Sequence, residues 1–257
     1  MGHFKTAKSN FTKFSFHNGK RGRILVRTTT SSFFVCLYSC VSPAAVAISA
    51  SVDTPHGRLP NVVQRDGDAA ELPAFAASFA DAARAALEAG FDGVEVHAAN
   101  GYLIDQFLRD GTNTRADYPK YGNASLATRS QLLNDVLTAV IAAVGTPDNV
   151  GVRFSPLNDK SDMHDSDPAA LSAHVAKLSQ SFNLAYVHVR RGGTSLIKID
   201  VVPIFRKNFK NILIANMGYS KDEANEAIAG GLVDAVEKYD SMRELYDCQV
   251  TDHVPYG

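Results

Sequence analysis

Cysteine is scarce and poorly spaced for structural work in this 257-residue chain. Cys36, Cys40 and Cys248 form no Cys-x-x-Cys pair and no mixed Cys/His set, which argues against a disulfide framework or a zinc centre and favours a reducing, cytoplasmic setting. An excess of either charge is lacking too: 26 Lys and Arg against 27 Asp and Glu leave a net charge of -1. Nothing general therefore draws the chain to nucleic acid or to an acidic membrane surface. No Gly-x-Gly-x-x-Gly follows a first strand, so the fingerprint of an open dinucleotide-binding sheet is missing. Acids are absent before Asp53, while Lys5, Lys8, Lys13, Lys20, Arg21, Arg23 and Arg27 crowd that stretch. The apolar run 33–50 that follows crudely imitates a signal anchor or transit segment. Ser39, Ser42, Pro43 and Ser49 interrupt it, and the basic part is long for a signal peptide, so neither a membrane span nor targeting is expected.

What is present is 45% apolar residues in a chain long enough for one large globular domain, with small-molecule chemistry as the default. Residues 53–239 read as that domain, 1–52 as an atypical basic and apolar segment with weak strand remnants, and 240–257 as an atypical tail. From Leu72 onward, helical stretches alternate with short β-branched runs, the pattern of repeated βα units feeding a parallel sheet. Strands are expected at Gly93 to His97, Val150 to Phe154, Ala185 to Val189, Ile212 to Ala215 and Val233 to Val236, with another at Arg23 to Val26. Helices are expected over Pro73 to Ala89, ending at Gly90; Ser125 to Val144, ending near Gly145; from Asp167-Pro168; and over Lys221 to Ala229. Right-handed crossovers would wind these units into a TIM-type β/α barrel, incomplete because about six of its eight strands are recognisable.

In a parallel barrel the chemistry sits at the C-terminal ends of the strands. His97 stands at such an end, followed by Ala-Ala-Asn100-Gly101-Tyr102. His97 and Asn100 can converge on one acceptor oxygen and polarise a carbonyl or nitro group, while the phenol of Tyr102 can give up a proton. Taken singly, a His at a strand end is more often a hydrogen-bonded structural residue and Asn-Gly more often a turn. The joint string from Val94 to Leu108 is far more specific.

That string, with Ala89 to Arg109, Asn113-Thr-Arg115-Ala-Asp117 and Val150-Gly-Val-Arg153-Phe-Ser-Pro156, resembles the old yellow enzymes, FMN-dependent oxidoreductases on a β/α barrel. The likeness extends with interruptions from about Ser42 to Val236. Arg129 to Val136, Arg153 to Asn158 and Asp165 to Leu171 look most similar to prostaglandin F synthase-type members from trypanosomatid protozoa. The resemblance implies His97 and Asn100 on the substrate oxygen, Tyr102 as proton donor and Arg153 beside the flavin pyrimidine edge. It implies FMN as cofactor, NADPH or NADH as hydride donor and an α,β-unsaturated carbonyl or related acceptor as substrate, with a homodimer as one admissible assembly. Residue by residue, it also carries the FMN phosphate to Met217 and Gly218, although Met217 stands where the family has a second glycine and Glu237-Lys238-Tyr239 replaces a Gly-Arg segment. Arg27 occupies the place of a flavin-contacting Gln, and 28–40 does not look like the family. An unrelated island between matching segments suggests a shifted reading frame, which comparison with the genomic frames decides.

Two further readings compete. The acids Asp159, Asp162, Asp165 and Asp167 lack the glycine-turn spacing of a calcium loop, so no metal is expected and a solvated loop with Asp167 capping a helix is preferred. Lys238 near a strand end invites a Schiff-base reading, but no paired acid or base is evident beside it. The alternative to the ene-reductase is a truncated, non-catalytic barrel homologue that no longer binds FMN.

Overall fold

The computed structural model describes residues 12–15, 21–28, 41–44, 51–54, 57–60, 63–159, 162–192 and 199–237. The three cysteines, Lys238 with its Schiff-base reading, most of the apolar run 33–50 and the tail 240–257 lie outside these. In chain order the elements are β1 (Thr12–Ser15), β2 (Arg21–Thr28), β3 (Val41–Ser42), β4 (Ser51–Thr54), β5 (Gly57–Pro60), β6 (Arg65–Asp66) and α1 (Leu72–Glu88). Then come β7 (Gly93–Ala98), α2 (Leu103–Leu108), α3 (Leu126–Arg129), α4 (Gln131–Val144), β8 (Val150–Phe154) and α5 (Pro168–Ser181). The remainder are β9 (Tyr186–Arg190), α6 (Val202–Asn208), β10 (Ile212–Asn216), α7 (Lys221–Ala229) and β11 (Ala235–Glu237). The main sheet has the order β1-β2-β7-β8-β9-β10-β11, with β1 antiparallel at one edge and every other neighbouring pair parallel. Among the described residues this is a partial TIM-type β/α barrel whose main sheet has six mutually parallel strands, the expected number.

Local chemistry explains the boundaries. Gly90 and Gly145 take left-handed φ values of 86° and 90° beyond α1 and α4, and Asp167 caps α5 by accepting from Ala170 N–H at 2.9 Å. The expected Ser125 to Val144 helix is instead two. It breaks at Ser130, whose hydroxyl is drawn to Ala127 O and to His174 Nε2 at 2.8 Å. Strand β9 starts one residue late because Ala185 N–H turns aside to Pro147 O and Val150 O. Strand β11 starts at Ala235 because Leu232 and Val233 are still bonded to Ala227 at the end of α7.

Register sorts the sheet into two faces. Val94, Val96, Val150, Val152, Val187, Val189, Leu213 and Ala215 form one apolar face that packs with Leu72 and Phe79 of α1 and Leu132 and Val136 of α4. Their alternates on the other face are Glu95, His97, Gly151, Arg153, Tyr186 and His188, joined on β10 by Ile212, Ile214 and Asn216, so that face carries most of the polar residues of the strands and belongs to the barrel interior. Gly151 is needed there: a Cβ would fall 2.2 Å from the ring of Tyr186. Within this face His188 Nδ1 lies 3.2 Å from Glu95 Oε2 and its Nε2 lies 3.0 Å from Glu237 Oε2. Burial works against charging any of the three, but each meets an opposite charge. The two carboxylates hold His188 above its usual 6.5, and the imidazolium holds Glu95 and Glu237 below 4.5.

A second buried ion pair ties the loops. Arg109 Nε donates to Asp105 Oδ1 at 2.9 Å, with the residues 1% and 2% exposed, and the guanidinium also reaches Ser155 O and Asn158 O. The acidic loop departs from the solvated reading at Asp165. Its side chain is buried, accepts from Asp110 and Asp167 N–H and lies 3.6 Å from Arg129, and burial pushes its pKa up. Among the described residues no cluster of His, Cys, Asp and Glu is placed to hold a metal, and no helix is long and apolar enough to cross a membrane.

Two outcomes are expected. Arg109→Met leaves Asp105 buried without its partner and should cost about 3–5 kcal/mol in urea unfolding; a loss below about 1 kcal/mol would show the pair to be dispensable. His188, raised above 6.5, contributes fully below that pH and loses its contribution as the pH climbs through its folded value. The two glutamates, lowered below 4.5, contribute fully above that pH and lose their contribution as it falls through theirs. Thermal stability from this row should therefore be complete only between these limits. His188→Gln should flatten the alkaline decline in melting temperature; an unchanged decline would remove His188 as its cause.

Candidate functional site

Strand β7 delivers His97 to the C-terminal edge of the sheet. Its partners in register are Arg153 on β8 and, beyond that, His188 on β9, so the three form one row across adjacent strands. The His97 side chain is buried, and its ring centroid lies 5.3 Å from that of Tyr102 at 53°. Tyr102 is the extended N-cap of α2 and 42% exposed. Between them the chain turns through Asn100 and Gly101, both left-handed at φ 60° and 78°. Asparagine tolerates that region better than most residues with a side chain. Asn100 N–H donates to Ser155 Oγ at 2.7 Å, Gly101 N–H to Asp105 Oδ2 at 2.9 Å, and Gln106 Nε2 to Gly101 O at 2.9 Å. Both N–H groups of this turn and the Gly101 carbonyl are thus engaged. The Asn100 carboxamide makes no hydrogen bond among the described residues.

Met217 and Gly218 follow β10 on the same edge, three strands from His97, or roughly 14 Å at about 4.8 Å per strand. Met217 has φ 78° and Gly218 φ 70°, which is why a glycine would be at home in the first position. Arg191, a residue that the sequence reading passes over, is braced here. Its Nε donates to Met217 O at 2.9 Å, its Nη2 reaches Gly218 O, and the guanidinium stacks 3.5 Å above the Tyr219 ring. The N-terminus of α7 is occupied from within, because Glu223 and Ser220 cap each other reciprocally.

For a flavin, the donor set divides. Buried Arg153 Nε has no hydrogen-bond partner among the described residues, and a permanent cationic donor on the His97 row fits the anionic pyrimidine edge of a reduced flavin. On the phosphate side, the Glu223 carboxylate holds the helix end that would otherwise attract an anion, and Glu237 ends β11 beside His188. Arg191 is the cation that the described residues bring to the Met217–Gly218 loop.

Ser155, Asp105, Glu95 and His188 escaped the sequence reading. Alternate polar residues inside otherwise apolar strands, Glu95 and His97 in one and Tyr186 and His188 in the other, are the signal that could have found the interior row. The Asp105–Arg109 spacing of four on α2 is the signal for the buried pair.

The NADH:flavin oxidoreductase / NADH oxidase family model matches residues 40–236. The chain is 39% identical over 201 residues to the "Probable flavin mononucleotide-dependent alkene reductase" of Leishmania infantum, covering 76% of this chain and 54% of that one. It is 42% identical over 173 residues to 12-oxophytodienoate reductase 1 of Oryza sativa subsp. japonica, covering 65% and 44%. It superposes on the old yellow enzyme from Trypanosoma cruzi with a TM-score of 0.74 at 34% identity, covering 81% of this chain and 57% of that chain. The chain spans about half the length of the curated relatives it matches. A match over most of the chain in sequence, with the same architecture in space, is sufficient: the chain belongs to the NADH:flavin oxidoreductase / NADH oxidase family, the old yellow enzymes, whose cofactors are FMN and NAD(P)H.

Proposed function

We infer that the chain is an FMN-dependent ene-reductase, which takes hydride from NAD(P)H and reduces the activated C=C of an α,β-unsaturated carbonyl or related small acceptor. The observation that supports this is the turn after β7, which brings the rings of His97 and Tyr102 to 5.3 Å with Asn100 in the turn between them and Arg153 paired with His97 on the next strand. In this reading Arg153 would hold the pyrimidine edge of the flavin, and the Met217–Gly218 loop, with Arg191, would hold its phosphate. FMN, when bound, supplies the hydride that it has received from NAD(P)H.

The residues of the chain supply the rest. His97 and Asn100 donate to the acceptor carbonyl oxygen and hold the negative charge that gathers there as the β-carbon is reduced. Fixed donors suit this work because they need not reorganise when the charge appears. Tyr102 gives its phenolic proton to the α-carbon, completing addition of one hydride and one proton across the double bond. Its exposure lets solvent return that proton. The carboxamide of Asn100 is free of other hydrogen bonds among the described residues, as a substrate-binding group should be.

The first test is the visible spectrum of the purified chain with added FMN. Flavin absorption that is bleached by NADPH and restored by an enone is expected; no bound flavin and no NADPH consumption would return the chain to the non-catalytic alternative. In the loaded protein, Tyr102→Phe should slow enone turnover by about 10²–10⁴-fold while slowing flavin reduction less. Equal effects on both half-reactions would take the proton-donor role from Tyr102. Asn100→Gly admits the left-handed backbone and removes the side chain with its carboxamide, so a loss of about 10²-fold in turnover is expected; wild-type turnover would take the donor role from Asn100.

A further inference from the structure

We propose that Ser155 is a positioning residue of this site, whose hydroxyl holds the Asn100–Gly101 turn in the conformation that presents Asn100 and Tyr102 to one acceptor; the proposal rests on the ene-reductase reading above. Gly101 takes its φ of 78° freely, but Asn100 at φ 60° is a left-handed residue with a side chain, a conformation the surroundings must hold. Here the holding groups come from the neighbouring strand and from α2. Asn100 N–H donates to Ser155 Oγ at 2.7 Å, and Ser155 sends its own proton to Asp105 Oδ2 at 3.3 Å. A hydroxyl carries one proton, so committing it to Asp105 turns a lone pair toward Asn100. The same Asp105 oxygen accepts from Gly101 N–H, and Arg109 holds Asp105 while donating to the Ser155 carbonyl.

Ser155 is 1% exposed, so water has little access to replace its hydroxyl. It also lies two residues beyond Arg153. One side chain therefore ties the loop that carries Asn100 to the strand that carries the proposed flavin-edge cation. Tyr102 follows through the backbone: its N–H bonds to Ala99 O at 3.2 Å, closing the turn that Ser155 anchors. Removing Asp105 or Arg109 would strand a buried charge and confound stability with function. Ser155 can be changed with that pair intact.

The test uses the FMN-loaded chain with cyclohexenone as the probe. Ser155→Ala should raise the enone KM about tenfold, the effect of one lost hydrogen bond to the turn, with FMN affinity close to wild type and a melting temperature lowered because the Asn100 N–H loses its buried acceptor. Ser155→Thr keeps the hydroxyl and should bring KM back toward wild type. Should the alanine variant fail to fold, Ser155→Cys fills the space with a weak acceptor and carries the same comparison. A KM in the alanine or cysteine variant within twofold of wild type overturns the proposal, and so does a threonine variant as impaired as the alanine one. A wild-type chain without enone turnover overturns the ene-reductase reading and this proposal with it. Wild-type turnover with an unaffected Ser155→Ala overturns this proposal alone.

Discussion

Asp105 and Arg109 face each other with almost no water around them, and the loops at the mouth of the barrel depend on that pairing. A charge in such a place is tolerated only when its partner and its hydrogen bonds are all in position, so the pair admits few arrangements of the chain that supplies them. The guanidinium reaches Ser155 and Asn158 after β8, and Asn158 Oδ1 in turn accepts from Arg190 at the end of β9. The segments after β7 and β8 and the end of β9 are joined by one polar chain. Its effect is to specify the arrangement, since an apolar substitute of equal volume could match its stability without fixing the turn at Asn100.

The barrel interior follows the same rule on a larger scale. Valines on the helix-facing side of the sheet need only to be apolar and of suitable size, whereas each polar residue on the other side needs a particular partner. Glu95 and Glu237 bracket His188, and the charge of Arg153 acts on all three. Two acids are thus set against two bases. The pairing of Glu237 with His188 gives the end of β11 a settled place inside the sheet.

Periodicity made the fold legible wherever a segment obeys one rule. Val94 to His97 alternates cleanly, α7 is found at its expected limits because Ser220 and Gly230 bound a helical pattern, and α5 begins where Asp167-Pro168 says it should. The reading failed where a distant partner decides. Ser130 breaks a helix because His174 waits 44 residues away, and Asp165 is buried because Arg129 reaches it. The short strands β3 and β6 are two residues each and carry no period to detect. At the site, the residue types of His97, Asn100 and Tyr102 announced themselves, while Ser155 did not. Its bond to Asn100 spans 55 residues of sequence, and that of His188 to Glu95 spans 93.

Gly151 and Tyr186 occupy neighbouring strands, and the ring of one fills the space that a side chain on the other would need. The two positions therefore share a single allotment of volume. A lineage that enlarged residue 151 would have to shrink residue 186, so these positions should drift through homologous barrels as a reciprocal pair, each bounded by the other more tightly than by its own chemistry.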